Sequence, residues 1–472
     1  MNVEISDNRL KTFWQKWLWK HPEYHLPNLK HCGAQVIKQL GTEAGVFVLR
    51  DKNSNETTFF GNAKCHSAWA CPKCTAEVMA KKAKRIAAAI DALKQKNKQT
   101  AIMITFTIPH TKKMTCKESF EIFSAVWRKF SRGGLRAHQT TGKYILKNDK
   151  DTNEKYRGRH SDKENLRTGK KGELRTYKKG RNPYGAFRAE LGITHNVRVF
   201  EFTYGENSWH PHIHALFWVP TKNLKKIKNY EQELINHWWH CIKTVTTKYW
   251  SEKFTDKTEL QKFLEKVYPD YKKESADGHK SLYISKTKEG EVRPISSSWY
   301  LAGWGGDKEI SGLSQKKARN GNLTPYQIIH LAYEQFILGN TEESEKYLRL
   351  YAQYAQTTFK HRRLHFSETG INKIINQWLK ENQYKEVVKK KATDKEKNWE
   401  TVYWFNEKQW YEILLKERRT GHYIRDDILT LARAPNAKEH IIKFLEIYDI
   451  HTNNQNNKTT QFIQDLMNKK IA

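Results

Sequence analysis

The sequence predicts an α+β fold whose core is an antiparallel sheet. The stretches NVRVFEFTYG (residues 196–205) and HPHIHALFWV (residues 210–219) are joined by the turn-forming GENSW, so they predict a β-hairpin. TAIMITFTIP (residues 100–109) is apolar and rich in β-branched residues, which is typical of a buried central strand. Helical periodicity in KESFEIFSAVWRKF, and in most of the chain after residue 330, predicts helices beside this sheet and a helical C-terminal region.

Positive charge dominates the composition. The 472 residues include 84 Lys and Arg against 51 Asp and Glu, a formal net charge of +33, which indicates a polyanionic partner. The 16 Trp and 22 Tyr add surfaces for base stacking, which favours single-stranded nucleic acid over a membrane surface. No apolar run approaches the roughly 18 residues of a membrane-spanning helix. The N-terminus lacks the apolar core of a signal peptide, so we expect the chain in a reducing cytoplasm, with its six cysteines as thiols.

Cysteines near the N-terminus predict a structural zinc site. The predicted ligands are Cys32, Cys65, Cys71 and Cys74. The Cys-x-x-Cys pair in CHSAWACPKC presents two thiolates on one tight turn, and two further ligands complete a tetrahedron. His31 and His66 are alternative ligands, and a set of buried free thiols is the alternative to a metal site.

A basic helix is predicted directly after this zinc knuckle. TAEVMAKKAKRIAAAIDALKQKN has apolar positions at helical spacing and basic residues between them. Its charged face either touches phosphates or is simply solvated. We expect the remaining cysteines, Cys116 and Cys241, to be ordinary core residues.

The chain is predicted to contain three consecutive regions. Residues 1–95 hold the knuckle and the basic helix, residues 96–330 hold the sheet, and residues 331–472 are mostly helical. An insertion at about residues 131–182 is crowded with Gly, Lys, Arg and Asn. It either follows a nucleic-acid backbone or is a solvated linker.

The segment LTPYQIIHLAYEQFILGN contains the signals of a helix start. Thr324 is the predicted N-cap, Pro325 occupies the first turn, and Gln327 completes a capping box. Gly339 is the predicted end of this helix.

Three histidines at period two predict a second metal site. His210, His212 and His214 all point to one side of their strand. If the two strands pair as a hairpin, Glu201 falls beside His212 and His214. Two imidazoles and a carboxylate on a rigid sheet suit a divalent metal with open coordination positions, and His210 is a further candidate ligand. Histidines without a metal are the alternative.

WHPHIHALFWV, with Glu201 on the preceding strand, resembles the motif of the HUH endonucleases, and among them the rolling-circle replication initiator proteins of bacterial plasmids. ITFTIPH is similar to the first motif strand of that family, and CHSAWACPKC to its N-terminal cysteine-rich segment. GWGGDKEISGLSQKKARNGNLTPYQII and FKHRRLHFSETGINKII resemble later segments of the same initiators. The resemblance covers most of the chain and implies a sheet of the RRM-like or ferredoxin-like type in residues 96–330.

The resemblance also implies a reaction. In the family, a tyrosine attacks one phosphodiester of origin DNA, leaving a 5′-phosphotyrosine and a free 3′-hydroxyl, and the later reversal joins strands. Mg²⁺ or Mn²⁺ would assist as a Lewis acid. The implied partners are single-stranded DNA, double-stranded origin DNA, a host helicase and a host DNA polymerase in a bacterial cytoplasm, with a homo-oligomer as one option. The sequence has no P-loop motif, so unwinding falls to the host helicase.

Two tyrosines are candidates for the nucleophile. Tyr300, in SSSWYLAGWGGDKEISG, is favoured because its flanking sequence follows the family order, although the usual Tyr-x-x-Lys lysine is replaced by Gly303. Tyr283 is the alternative and fits Tyr-x-x-Lys literally through Lys286, but its alternation suggests a strand. Glu309 is a candidate activator of water or of a second transfer.

Two other functions fit the same residues. A transposase of a mobile element would use the same chemistry on paired element ends. A non-enzymatic DNA-binding protein would need only the knuckle, the charge and the aromatic residues, and it predicts salt-sensitive binding without strand breakage.

Overall fold

The fold was obtained as a computed structural model. It describes residues 5–37, 45–131, 136–137, 144–145, 156–157, 166–167, 183–268, 282–284, 286, 291–295, 322–366, 369–390 and 398–450.

The described part of the chain contains helices throughout its length. They are α1 (Asp7–Lys20), α2 (Pro27–Lys30), α3 (Pro72–Asn97), α4 (Cys116–Ser131), α5 (Pro183–Glu190), a 3-10 helix (Thr221–Ile227), α6 (Lys228–Ser251), α7 (Lys257–Val267), α8 (Pro325–Ile337), α9 (Thr341–Thr358), α10 (Thr369–Lys390), α11 (Glu407–Thr420), α12 (Ile424–Leu431) and α13 (Ala437–Ile447). None of these helices is long and apolar enough to cross a membrane.

The strands form antiparallel sheets. They are β1 (Gly45–Asp51), β2 (Thr57–Phe60), β3 (Gln99–Thr107), β4 (Arg136–Ala137), β5 (Tyr144–Ile145), β6 (Tyr156–Arg157), β7 (Leu166–Arg167), β8 (Asn196–Gly205), β9 (Ser208–Pro220), β10 (Leu282–Ile284), β11 (Leu364–Phe366) and β12 (Trp399–Asn406). The larger sheets have the orders β10-β3-β9-β8-β11 and β12-β1-β2, and the two-residue strands pair as β4-β5 and β6-β7. The predicted α+β class with antiparallel sheets is therefore confirmed.

The five-stranded sheet has one face covered by α4 and α6. Phe106 of β3 lies edge-on to Trp127 of α4 and Trp238 of α6, with ring centroids 5.1 and 4.9 Å apart. The indole nitrogen of Trp238 donates to the Thr107 carbonyl oxygen at 2.9 Å. Phe106 and Trp238 are 1% and 0% exposed, so this face is a packed aromatic core. His210, His212 and His214 of β9 lie on the opposite face of this sheet.

The three-stranded sheet joins distant parts of the chain. β12 pairs with β1 from Gly45↔Asn406 to Asp51↔Trp399. Its core is formed by Val46 and Val48 of β1 together with apolar residues of β12 and helices α11 to α13. Spatial contact therefore does not follow sequence order, because a strand near residue 400 completes a sheet begun near residue 45.

Contacts divide the chain into two compact units. The first unit consists of residues 1–79, 328–359 and 382–472, and the second of residues 80–327 and 360–381. In the first unit, α1 packs on α8 and α9 through aromatic rings. Phe13 lies 5.1 Å from Tyr333, and Trp14 lies 5.0 Å from Tyr351. The five-stranded sheet and its helices belong to the second unit.

The capping box predicted for α8 is present. The Thr324 hydroxyl accepts from the Gln327 backbone N–H at 3.2 Å, and the Gln327 side chain accepts from the Thr324 backbone N–H at 2.9 Å. Gly339, which has a φ of +80°, follows the end of the helix. This backbone conformation is left-handed, and glycine adopts it at little cost.

A buried ion pair stabilises the first unit, and we expect its removal to be costly. Arg425 donates to Glu417 at 2.7 Å and to Gln15 at 3.2 Å, and Arg425 and Glu417 are 3% and 0% exposed. Arg425→Met or Glu417→Gln should each lower the free energy of unfolding by roughly 3–5 kcal/mol, because each leaves a buried charge without its partner. Denaturant titration followed by circular dichroism measures the loss.

The control is the variant that carries both substitutions. It should lose much less than the sum of the single losses, since neither charge is left alone. Additive losses would contradict the assignment of Arg425 and Glu417 as a coupled pair.

Candidate functional site

The β8-β9 hairpin places three potential metal ligands on one face. The register pairs Glu201 with His212 and Val199 with His214. Side chains alternate along a strand, so the residues at positions 210, 212 and 214 share the face of Glu201, while Ile213 points to the aromatic core. The grouping predicted from the alternation is therefore the one that the fold provides.

The three groups converge on one point. The Nε2 atoms of His212 and His214 lie 3.0 and 3.4 Å from the same Glu201 oxygen, Oε2. One ligand atom from each residue lies within 4.8 Å of the others. The side chains of Glu201, His212 and His214 are 20%, 13% and 22% exposed, so the cluster is reachable from solvent. Two imidazoles and one carboxylate fit a divalent cation and leave coordination positions for a substrate.

Hydrogen bonding keeps Glu201 ionised. Burial by itself would raise the pKa of this carboxyl, but hydrogen bonds from His212 and His214 outweigh it and hold the pKa well below its usual range. The cluster therefore offers a carboxylate anion to a cation.

Thr105 orients one of the imidazoles. It lies on β3 directly opposite His214, and its Oγ1 is 2.8 Å from the Nδ1 atom of His214. When Nε2 ligates a metal, Nδ1 carries the proton and donates to this hydroxyl. Sequence reasoning missed Thr105. The only signal was its place in the predicted strand, and the pairing of that strand with β9 is not visible locally.

His210 is separate from the three-residue cluster. Its Nδ1 atom lies 3.2 Å from the Nδ1 atom of His110, which follows β3. Burial, with smaller contributions from His212 and His110, lowers the pKa of His210 to about 3. His210 is therefore a neutral ring paired with His110, and the fold does not bring it into the ligand group.

Of the two candidate tyrosines, Tyr283 lies in the described part of the chain. Tyr283 lies on β10 opposite Thr105, which in turn lies opposite His214, and it is 42% exposed. Lys286, the lysine of its Tyr-x-x-Lys sequence, donates to Glu231 of α6 at 2.7 Å. Tyr300 and Glu309 lie outside the described residues.

The N-terminal cysteines form the second cluster. Cys32, Cys65, Cys71 and Cys74 each offer a sulfur within 4.8 Å of the others. The Sγ atom of Cys32 is 3.5 Å from that of Cys74 and 3.8 Å from that of Cys71. A tetrahedron with Zn–S bonds of about 2.3 Å has S···S edges of about 3.8 Å, so these distances suit zinc.

Backbone groups support this sulfur cluster. The backbone N–H of Cys65 donates to the Cys32 sulfur at 3.4 Å, and that of Ser67 donates to the Cys65 sulfur at 3.5 Å. Such bonds stabilise thiolates, as hydrogen-bond donors around the ligands do in metal sites. The alternative ligands His31 and His66 are not part of the cluster.

Comparisons with known proteins give no family for this chain. No family model, no curated protein and no solved structure matches it.

The sulfur cluster leads to a prediction about metal content. The purified protein should carry one zinc ion per chain, and Cys71→Ala should lose it because three thiolates hold zinc far less tightly than four. Elemental analysis after gel filtration measures the stoichiometry. Cys241→Ala is the matched control, since Cys241 is equally buried but lies outside the cluster. Equal zinc content in both variants would contradict the assignment of Cys71 as a zinc ligand.

The Thr105 hydrogen bond leads to a second prediction. Thr105→Val preserves the shape of the side chain but removes the hydroxyl that orients His214, so Mn²⁺ affinity should fall by roughly 10–100-fold. Isothermal titration calorimetry measures this affinity.

Thr100→Val on the same strand is the control, because the Thr100 hydroxyl is bonded to Thr221 instead. An unchanged affinity in Thr105→Val would mean that the bond does not orient His214 for a metal.

Proposed function

We propose that the protein is a metal-dependent DNA nicking and joining enzyme that starts rolling-circle replication of a bacterial plasmid. The observation that carries the proposal is the convergence of His212 and His214 on the Glu201 carboxylate. This ligand set stands on a rigid sheet and is partly open to solvent. The net charge of +33 supports a nucleic-acid substrate over a neutral one.

The site suits chemistry at a phosphodiester. Mg²⁺ or Mn²⁺ held by Glu201, His212 and His214 would supply Lewis-acid stabilisation of the scissile phosphate. Thr105 keeps one imidazole in a fixed orientation, and the sheet keeps both imidazoles in register. A phosphate placed there is positioned before a nucleophile attacks it.

The strand register supports Tyr283 as a candidate nucleophile, whereas Tyr300 lies outside the described residues. Tyr283 and His214 lie on β-strands separated only by β3, so about 10 Å, or two strand spacings, separates their backbones. The Tyr283 side chain and a phosphate bound at the metal site can together bridge that distance. The phenolate oxygen would attack phosphorus, the bond to the 3′ oxygen would break, and that oxygen would take up a proton.

A test of the nucleophile uses end-labelled single-stranded DNA from the origin of the protein's own replicon. The wild type should form a covalent 5′-linked adduct in Mn²⁺ and none in EDTA. Tyr283→Phe should form no adduct, because the ring remains but the attacking oxygen is gone. Denaturing gels detect the adduct, and mass spectrometry locates the modified peptide.

Tyr300→Phe is the matched control and should keep the adduct. An adduct that survives in Tyr283→Phe and disappears in Tyr300→Phe would reverse the choice of nucleophile while leaving the reaction in place. His212→Ala and His214→Ala should both abolish nicking without abolishing DNA binding. If the wild type binds all candidate origin sequences but cuts none of them, the protein is a non-enzymatic DNA-binding protein.

A further inference from the structure

A lysine is buried beside the cysteine cluster of the first unit. Lys11 of α1 is 7% exposed, and a Cβ atom on Gly33 would lie only 3.4 Å from its Nζ atom. Gly33 directly follows Cys32 in the sequence. The ammonium group of Lys11 therefore lies against the loop that supplies one of the four sulfurs.

This ammonium group has no acidic partner in the part of the chain that the structure describes. No carboxylate there forms an ion pair with Lys11. Arg425, the other cation beside Gly33, is instead paired with Glu417 at 2.7 Å. A charge that is shielded from water is costly, so a buried lysine either loses its proton or faces an anion.

The sulfur cluster supplies an anion when it holds zinc. Zn²⁺ bound by four thiolates is a dianion. Cys32, Cys71 and Cys74 are 3%, 2% and 1% exposed, so water reaches little of this charge. Burial and the Arg425 charge lower the pKa of Lys11, whereas Cys32 and Cys71 raise it, so the ammonium group interacts with both sulfurs. A buried dianion requires nearby cations in the same way that a buried cation requires an anion.

The more exposed side of the cluster has a second source of positive charge. Lys64 and Lys73 each adjoin ligand cysteines in the sequence, and their Nζ atoms lie 2.8 and 3.9 Å from the Glu77 carboxylate. Two cations share one carboxylate there, so one positive charge remains. Together with Lys11 on the buried side, this charge balances the dianion.

α1 is fixed against the cysteine loop. Gln15 lies one turn further along the helix than Lys11, so the two side chains share a face. The Gln15 side-chain amide donates to the Leu29 and Cys32 carbonyl oxygens at 3.0 and 2.9 Å. These bonds give Lys11 a defined position relative to the sulfurs.

We propose that Lys11 is the buried counter-ion of a zinc tetrathiolate formed by Cys32, Cys65, Cys71 and Cys74. Lys11 does not ligate the metal. It stabilises the anionic, zinc-loaded cluster relative to the neutral thiols, and it thereby favours retention of zinc. The inference goes beyond the proposed function and rests on the assignment of the cysteines to zinc.

The test measures the affinity of the full chain for Zn²⁺ by competition with a zinc-binding dye. Lys11→Met keeps an unbranched side chain but removes the charge, so the affinity should fall by roughly 10–100-fold. Lys11→Arg restores the charge and should bind zinc more tightly than Lys11→Met. Equal affinities of the wild type and Lys11→Met would contradict the counter-ion role.

Lys16→Met on the same helix is the matched control. Burial lowers the pKa of Lys16 to about 8, so this lysine is also partly desolvated. Its ammonium group, however, donates to the backbone carbonyl oxygens of Gly421 and His422 rather than facing the sulfurs. Lys16→Met should therefore leave the zinc affinity nearly unchanged.

A second measurement separates the charge effect from a purely structural role. Cys71→Ala removes the zinc-loaded anion, so Lys11→Met should no longer be destabilising in that background. Denaturant titration followed by circular dichroism compares the wild type, the two single variants and the double variant. A side chain that only fills space would cost the same free energy of unfolding in both backgrounds, and that result would overturn the proposal.

The outcomes also separate this inference from the assignments around it. If the wild type carries no zinc, the zinc site fails and the proposal fails with it. If the wild type carries zinc and Lys11→Met binds it as tightly as Lys16→Met does, the zinc site stands and the counter-ion role alone fails. Neither result depends on whether the protein cuts DNA.

Discussion

The pairing of Glu201 with His212 across β8 and β9 is the constraint on which the candidate site depends. Side chains on a strand alternate, so a slip of one residue would move the histidines to the opposite face of the sheet. That face holds the aromatic core around Phe106 and Trp238, where uncompensated imidazoles would be costly. Burial of Ile213, which is 0% exposed, therefore fixes the register that aligns the ligands.

The two ligand clusters depend on the fold in different ways. The histidine cluster comes from one hairpin and needs only a local turn and the correct register. The cysteine cluster instead gathers Cys32 and Cys71, which are 39 residues apart. Gln15 of α1 donates to the carbonyl oxygens of Leu29, Lys30 and Cys32 and also accepts from Arg425, so the Cys32 loop is tied to the buried ion pair. Zinc binding at the cysteines and folding of the first unit are therefore expected to be coupled.

Sequence patterns predicted the features that depend on neighbouring residues. The β8-β9 hairpin, the central strand β3 and the Thr324 capping box all have local signals, because alternation and capping act within a few residues. The bond from Thr105 to His214, the pairing of β12 with β1 and the pairing of β11 with β8 have no such signal. They depend on which strands become neighbours, and this is decided by burial over the whole chain.

Charge around the ligand cluster is distributed so that a divalent cation meets an anion. Glu201 is held ionised, and the low pKa of His210 keeps that neighbouring ring neutral at physiological pH. A protonated His210 beside His212 would repel a divalent cation. The burial of His210 against His110 therefore favours cation binding in the same sense as the hydrogen bonds that keep Glu201 anionic.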